Sequence, residues 1–399
     1  MRCRLCGYIQ LHQTWCSVNK VKVLMMLRMP EPPVTGGEIY YSKLRQYLQD
    51  RSIAVDNYSW RMKPYKGPVQ YILGSVLKNL SLLRHLRSIS SDTVIMEDVA
   101  DSPDLFLFNA VTRIVRGLFG NRIYIVPVVH HLESPLIKNK VLKKMKLLEE
   151  CIFFSASDGV VVNSKFTQKL VENSLNRDVE IVLAYPGLNV SGLGKDLGKD
   201  LEPIKSRHPN KKCLHLLFVG YVTSRKGVDT LIKAFEILVK EKGQKNLALH
   251  VVGSTDRDKA FSQKVKDYSR EAGMDGQVIF HGRINDRDIE ELYMTSDIFV
   301  FPSLWEGFGM ALAEAASFGL PIVTTDAGAI PNMIKDGVNG LLVPPRDAEG
   351  LARAIERLVK SPEMRTCFGE ANKKMAEEFD WNKSFSKIEG LLDKLACEG

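Results

Sequence analysis

Long apolar runs are missing from this 399-residue chain. The most apolar region, Leu105 to Leu132, is broken by Arg113, Arg116 and Arg122, and so falls short of the roughly 18 uninterrupted apolar residues that a membrane-spanning helix needs. The start lacks a continuous apolar core and does not read as a secretory signal. Cysteine is sparse and odd in number: seven, of which Cys151, Cys213, Cys367 and Cys397 are scattered. That usage predicts reduced thiols in a cytoplasmic protein, not a disulfide framework. Cys3, Cys6, His12 and Cys16 have the ligand types of a tetrahedral zinc site, yet residues 1–20 are expected to be an extension ahead of the first strand, with no metal. Aromatic residues are not interleaved with basic tracts. The net charge of +8 therefore does not predict nucleic-acid binding. The charge is also one-sided: residues 1–200 carry 27 Lys and Arg against 18 Asp and Glu, and residues 201–399 carry 28 against 29.

What is present is an alternation of short apolar runs, glycine turns and helical patterns, and one stretch draws the rest together. Phe299 to Glu314, FVFPSLWEGFGMALAE, reads as a buried strand, a turn Glu306-Gly307-Phe308-Gly309, and an alanine-rich helix. Two glycines let the backbone approach a ligand closely. The unpaired amides at the helix start, together with the macrodipole, favour a phosphate. Glu306 and Glu314 flank this turn at a spacing that sends them to different parts of one ligand, and ionised carboxylates are natural acceptors for sugar and ribose hydroxyls.

Earlier in the chain, Val21 to Leu27 reads as a buried strand, followed by Thr35-Gly36-Gly37 as a turn and then a helix through Leu44 and Leu48. A basic apolar helix is expected over Val76 to Ile89, a strand over Thr93 to Met96, and another strand ending at His130 and His131. Lys138 to Phe154 reads as a helix that mixes five lysines with apolar residues. Either its charged stems form a solvated face, or it docks on an anionic membrane. Residues 191–212 have linker composition. The second half opens with a strand, Leu214 to Gly220, and with Arg225 and Lys226 before a helix over Val228 to Glu241, placed to neutralise a diphosphate. Asp256-Arg-Asp258 and Asp286-Arg-Asp288 look like metal-binding pairs but fall at polar loops or helix starts, and solvated surface is the expected reading.

Glu306 and Glu314, with seven residues between them, resemble the Glu-x7-Glu motif of retaining glycosyltransferase family 4. Pro302-Ser303, Gly307-Phe308-Gly309, Gly319 to Thr324 and Asn339 to Pro344 follow in that family's order. The resemblance implies the GT-B fold, an α/β architecture of two facing Rossmann-like domains with a cleft between them. Residues 21–190 would be the acceptor-side domain and 213–380 the nucleotide-sugar domain, with 381–399 a helix crossing back to the first. It further implies that Gly36 and Gly37 approach the diphosphate, that His130 touches the donor sugar, and that the main chain near Arg283 seats the base. Two departures from the family pattern occur, Asn189 for a common aspartate and Tyr221 for a common arginine. The expected activity is metal-independent transfer of a hexose-type sugar from a nucleotide-diphosphate donor to a glycan or lipid-linked hydroxyl, with no cofactor. Alternatives on the same fold are a nucleotide-sugar epimerase or phosphorylase, and a non-catalytic nucleotide-sugar-binding protein.

Overall fold

The computed structural model describes residues 21–26, 35–58, 92–98, 123–132, 134–137, 139–175, 177–188 and 213–398. The cysteines of residues 1–20, the expected helix at Val76 to Ile89, Lys138, Asn189 and the linker at 191–212 lie outside them. The chain divides into two compact units, residues 1–186 with 381–399, and residues 187–380.

Unit 1 contains β1 (Lys22–Met26), α1 (Gly36–Asp50), β2 (Val55–Tyr58), β3 (Thr93–Asp98), β4 (Ile123–Val129), α2 (Lys140–Ser155), β5 (Val160–Val162), α3 (Lys165–Glu172) and β6 (Ile181–Leu183). The strands form one sheet in the order β2-β1-β3-β4-β5-β6, and every pairing is parallel. A parallel sheet is stable when both faces are covered, and its strands are then apolar at every position. Alternation divides those side chains between two cores. Val23 and Met25 join Tyr40, Leu44 and Leu48 of α1 on one face, while Leu24 and Met26 join Phe153 and Phe154 of α2 on the other.

Helix α1 begins one residue after Thr35 because of a capping box. The Thr35 hydroxyl accepts from the Glu38 amide at 3.2 Å and the Glu38 carboxylate accepts from the Thr35 amide at 2.7 Å. Gly36 and Gly37 are therefore the first two helical residues and not a turn ahead of the helix. The last helix, Trp381–Glu398, belongs to the same unit. It packs Phe385, Ile388, Leu391, Leu392 and Leu395 into the core that holds Tyr40 and Tyr47, and Glu389 accepts from Tyr47 at 2.9 Å.

Unit 2 contains β7 (Leu214–Val219), α4 (Val228–Glu236), β8 (Leu247–Val252), α5 (Lys259–Glu271), β9 (Val278–Gly282), α6 (Asp286–Thr295), β10 (Ile298–Phe301), α7 (Met310–Ser317), β11 (Ile322–Thr325), α8 (Ile330–Met333), β12 (Gly340–Val343), α9 (Ala348–Lys360) and α10 (Pro362–Ala376). The helix expected to run to Glu241 is α-helical only to Glu236, and its last turn, Ile237–Glu241, is π-helical. The sheet is again wholly parallel, in the order β12-β11-β10-β7-β8-β9. Strand order grows outward one way from β7 and the other way from β10. The two aspartate pairs sit at helix starts: Asp258 accepts from the Phe261 amide at 3.1 Å, and Asp288 accepts from the Asn285 side chain at 2.9 Å.

Candidate active site

Where strand order reverses, the loops leaving the two central strands diverge and open a crevice at their carboxyl ends. In unit 2 that point lies between β7 and β10, and the sequence delivers a charged loop from each. After β7 a short 3-10 turn, Ser224–Lys226, ends at Gly227. Its φ is +69°, and a Cβ there would lie 2.0 Å from the Pro302 carbonyl oxygen, so only glycine fits. The two loops are joined by the Leu304 amide, which donates to the Arg225 carbonyl at 2.8 Å. Lys226 and Glu306, 80 residues apart, thereby meet with Nζ 2.6 Å from Oε1.

The same Oε1 accepts from the Ser303 hydroxyl at 2.5 Å and from Arg225 Nη1 at 3.3 Å, and that nitrogen also donates to the Trp305 carbonyl at 2.8 Å. The Lys226 and Glu306 side chains are 12% and 9% exposed, whereas Arg225 is 49% exposed. Burial pushes the Glu306 carboxyl up, but Lys226, Arg225 and the hydrogen bonds from Lys226 and Ser303 outweigh it and hold the group below its ordinary value. Burial also pulls the Lys226 ammonium below its usual value, against the opposing pull of Glu306. Two cations facing one carboxylate leave a net positive charge at the crevice, most of it on the exposed Arg225.

Main-chain contacts fix this arrangement from the other side. Thr324 and Thr325 of β11 donate to the carbonyls of Phe301 and Ser303 at 2.6 and 2.5 Å. Gly328, with φ +61°, sits so close to Glu306 that a Cβ would be 2.3 Å from its carbonyl oxygen, and the next amide, Ala329, donates to that oxygen at 2.8 Å. Past the partly exposed Gly307, Gly309 adopts φ +96° and opens α7, and no side chain caps that helix. Its first amides and dipole are thus turned to the loop that carries Glu306. The Phe308 ring is buried edge-on against Phe379, 5.2 Å between centroids, so this residue can offer a ligand its main chain but not its ring.

Glu314 lies in α7, partly buried, and accepts from the Tyr293 hydroxyl at 3.1 Å. Burial pushes its carboxyl up to about 7, with Asp286 adding to the shift and Tyr293 opposing it. Arg283 is exposed directly after β9. Since β9 is two strands from β7, the strand end that carries Arg283 is about 10 Å from the end of β7.

The remaining predicted residues lie in unit 1. His130 follows β4, and its ring meets the edges of Tyr40 and Tyr41 of α1, with centroids 5.1 and 5.2 Å away. The second turn of α1 is therefore a neighbour of His130. A hydrogen-bond relay fixes the imidazole: the Ser164 hydroxyl donates to Thr167 Oγ1, Thr167 donates to Asn163 Oδ1, and Asn163 Nδ2 stands 3.3 Å from His130 Nδ1. With the amide as donor, Nδ1 is an acceptor and the proton resides on Nε2. His131 is partly exposed.

Sequence reasoning gave no site role to Ser303, Thr325, Gly328, Tyr293 or Asn163. Only two left a readable trace, Ser303 in its Pro-Ser pair and Asn163 at the end of a strand. Among the described residues there is no group of three or more His, Cys, Asp or Glu able to hold a metal ion.

Residues 200–375 match the family model described as glycosyl transferases group 1. A D-inositol 3-phosphate glycosyltransferase from Arthrobacter sp. (strain FB24) is 29% identical over 281 residues, covering 68% of this chain and 65% of that protein. The chain thus spans just under two thirds of the length of the curated relatives it matches. Among solved structures, sucrose-phosphate synthase from Thermosynechococcus elongatus has a TM-score of 0.74 at 18% identity, covering 95% of this chain and 100% of that one. Anabaena HepE in complex with UDP and glucose has a TM-score of 0.67 at 17% identity, covering 94% and 100%. Residues 200–375 thus resemble the group 1 glycosyl transferases, and the likeness to solved structures over nearly the whole chain shows the GT-B fold.

Proposed function

We propose that this protein transfers a hexose-type sugar from a nucleotide-diphosphate sugar to a hydroxyl acceptor, with retention of configuration and without a metal. The observation that carries this reading is the Arg225, Lys226 and Glu306 cluster beside the uncapped start of α7. When the glycosidic bond breaks, its electron pair leaves with the β-phosphate, and charge grows on that phosphate as the sugar becomes oxocarbenium-like. Stabilising it is the largest catalytic task. Lys226, Arg225 and the amides of α7 take that role, while Glu306 accepts from sugar hydroxyls and Glu314 from the ribose. In unit 1, Gly36, Gly37 and His130 are the residues that the family resemblance assigns to the donor. The departing phosphate receives the acceptor proton, so no separate nucleophile is required. The acceptor is a glycan or a lipid-linked hydroxyl at the cytoplasmic face of a membrane. Because Anabaena HepE binds UDP and glucose, UDP-hexoses are the first donors to try.

The test is a binding and hydrolysis screen of the purified protein against UDP-, GDP- and ADP-hexoses in EDTA. One donor should be selected and retained in the chelator, and Lys226→Met should lower its turnover by about 100-fold or more. Failure of every donor to bind, or turnover unchanged in Lys226→Met, overturns the reading.

A further inference from the structure

Helix α2 buries an unexpected face. Its core side is made by Glu150, Phe153 and Phe154, with the Glu150 carboxylate accepting from the Ser134 amide and hydroxyl at 3.2 and 2.7 Å. The stripe that periodicity would assign to a core, Val141, Met145, Leu148 and Ile152 at i, i+4, i+7 and i+11, points the other way and is 67%, 62%, 63% and 37% exposed. Leu142 beside it is 54% exposed. One helix thus holds most of the large apolar side chains that the described residues leave in water, and such a patch marks an interaction surface. Lys140, Lys143 and Lys144 are exposed on the same helix, and no carboxylate occurs between Lys140 and Leu148. Lys146 is different, because it pairs with Glu149 at 3.3 Å and is 18% exposed.

We propose that α2 docks this protein onto an anionic lipid surface, lying flat with its outward stripe among the acyl chains and Lys140, Lys143 and Lys144 at the headgroups. Its 16 residues make a rod of about 24 Å, and its lysines bar it from crossing. No helix among the described residues is long and apolar enough to span a membrane. Lysine stems suit this geometry, since their methylenes can follow the apolar stripe while the ammonium groups reach phosphate. A second copy of the chain is a poorer occupant, because pairing two such faces would bring like-charged lysines together. The docking is separate from sugar transfer and needs neither donor nor acceptor, so either proposal can fail alone.

The experiment is co-sedimentation of the full chain with phosphatidylcholine vesicles, with and without phosphatidylglycerol. Binding is expected only with the anionic lipid, and raised salt should weaken it. Replacing Lys140, Lys143 and Lys144 by Gln should lower the partition coefficient on the order of 100-fold, about fivefold per lysine. Val141→Ser, Met145→Ser and Leu148→Ser combined should also release the protein, and circular dichroism should show both variants folded. The proposal is overturned if the folded wild-type protein ignores anionic vesicles, or if both variants bind as wild type does. It is overturned equally if the serine variant keeps its lipid binding but turns a dimer into a monomer.

Discussion

Glu306 and Glu314 are eight residues apart and chemically identical, yet their surroundings drive them in opposite directions. Lys226 and Arg225 keep Glu306 ionised, whereas Glu314 has only the Tyr293 hydroxyl to offset burial and is pushed up to about 7. The consequence for stability has a definite sign. Below the ordinary carboxylate value of 4.5, Glu314 is protonated in both folded and unfolded chains, and its contribution to stability is complete. As pH rises from there through about 7, the unfolded chain loses the proton first, and the contribution declines until it is gone. Glu314→Gln, neutral throughout, should match the wild-type Tm at low pH and exceed it above about pH 8. A shift of this size sets an upper limit of about 3 kcal/mol, and partial exposure reduces it to roughly 1–2 kcal/mol. Superimposable Tm-against-pH curves for the two proteins would remove Glu314 from this role. Donor binding should move the opposite way, strengthening in the wild type as the carboxylate ionises.

At the scale of elements, the junction between the β7 and β10 loops rests on Gly227. Gly243 offers an internal control: its φ is +68°, against +69° for Gly227, but it has nothing within 4 Å of a built Cβ. Gly243→Ala should lose only about 1 kcal/mol, the conformational penalty of a left-handed alanine, and leave donor binding intact. Gly227→Ala adds a collision with the Pro302 carbonyl, and should lose at least ~2 kcal/mol in urea unfolding and weaken donor binding about tenfold or more. Equal losses at the two positions would show that the close approach does not govern the site.

The same junction marks the limit of what the chain discloses by reading. The turn at Gly307 and Gly309, the strands and the two glutamates announce themselves by local pattern. The salt bridge from Lys226 to Glu306 does not, because it spans 80 residues and depends on β7 and β10 being neighbours in a sheet order that local periodicity leaves open. Thr35-x-x-Glu38 was readable as a capping box and moves Gly36 and Gly37 into a helix. In α2 the periodicity was legible but its sense was not: an apolar stripe says that something covers it, not that the covering is the protein's own core.

For the whole molecule, the chain leaves unit 1, builds unit 2 and returns, so unit 1 is complete only when its last helix is in place. Phe385, Ile388, Leu391, Leu392 and Leu395 are between 0% and 5% exposed in the core around Tyr40 and Tyr47. Burying five such side chains contributes about 8–15 kcal/mol, an upper estimate because unfolded chains are already partly compact. That is as large as the net stability of a typical domain, about 5–15 kcal/mol. A chain ending at Asp380 should therefore leave unit 1 open to protease while a fragment close to residues 187–380 survives, since no strand of the second sheet depends on the missing helix. Ile388→Ala is the milder version, expected to destabilise unit 1 by about 2–5 kcal/mol and leave the unfolding of unit 2 where it was. Limited proteolysis read by mass distinguishes the cases. Were the truncated chain cut no faster within residues 1–186 than the full one, the five side chains would be passengers on a core that α1 and the sheet complete by themselves.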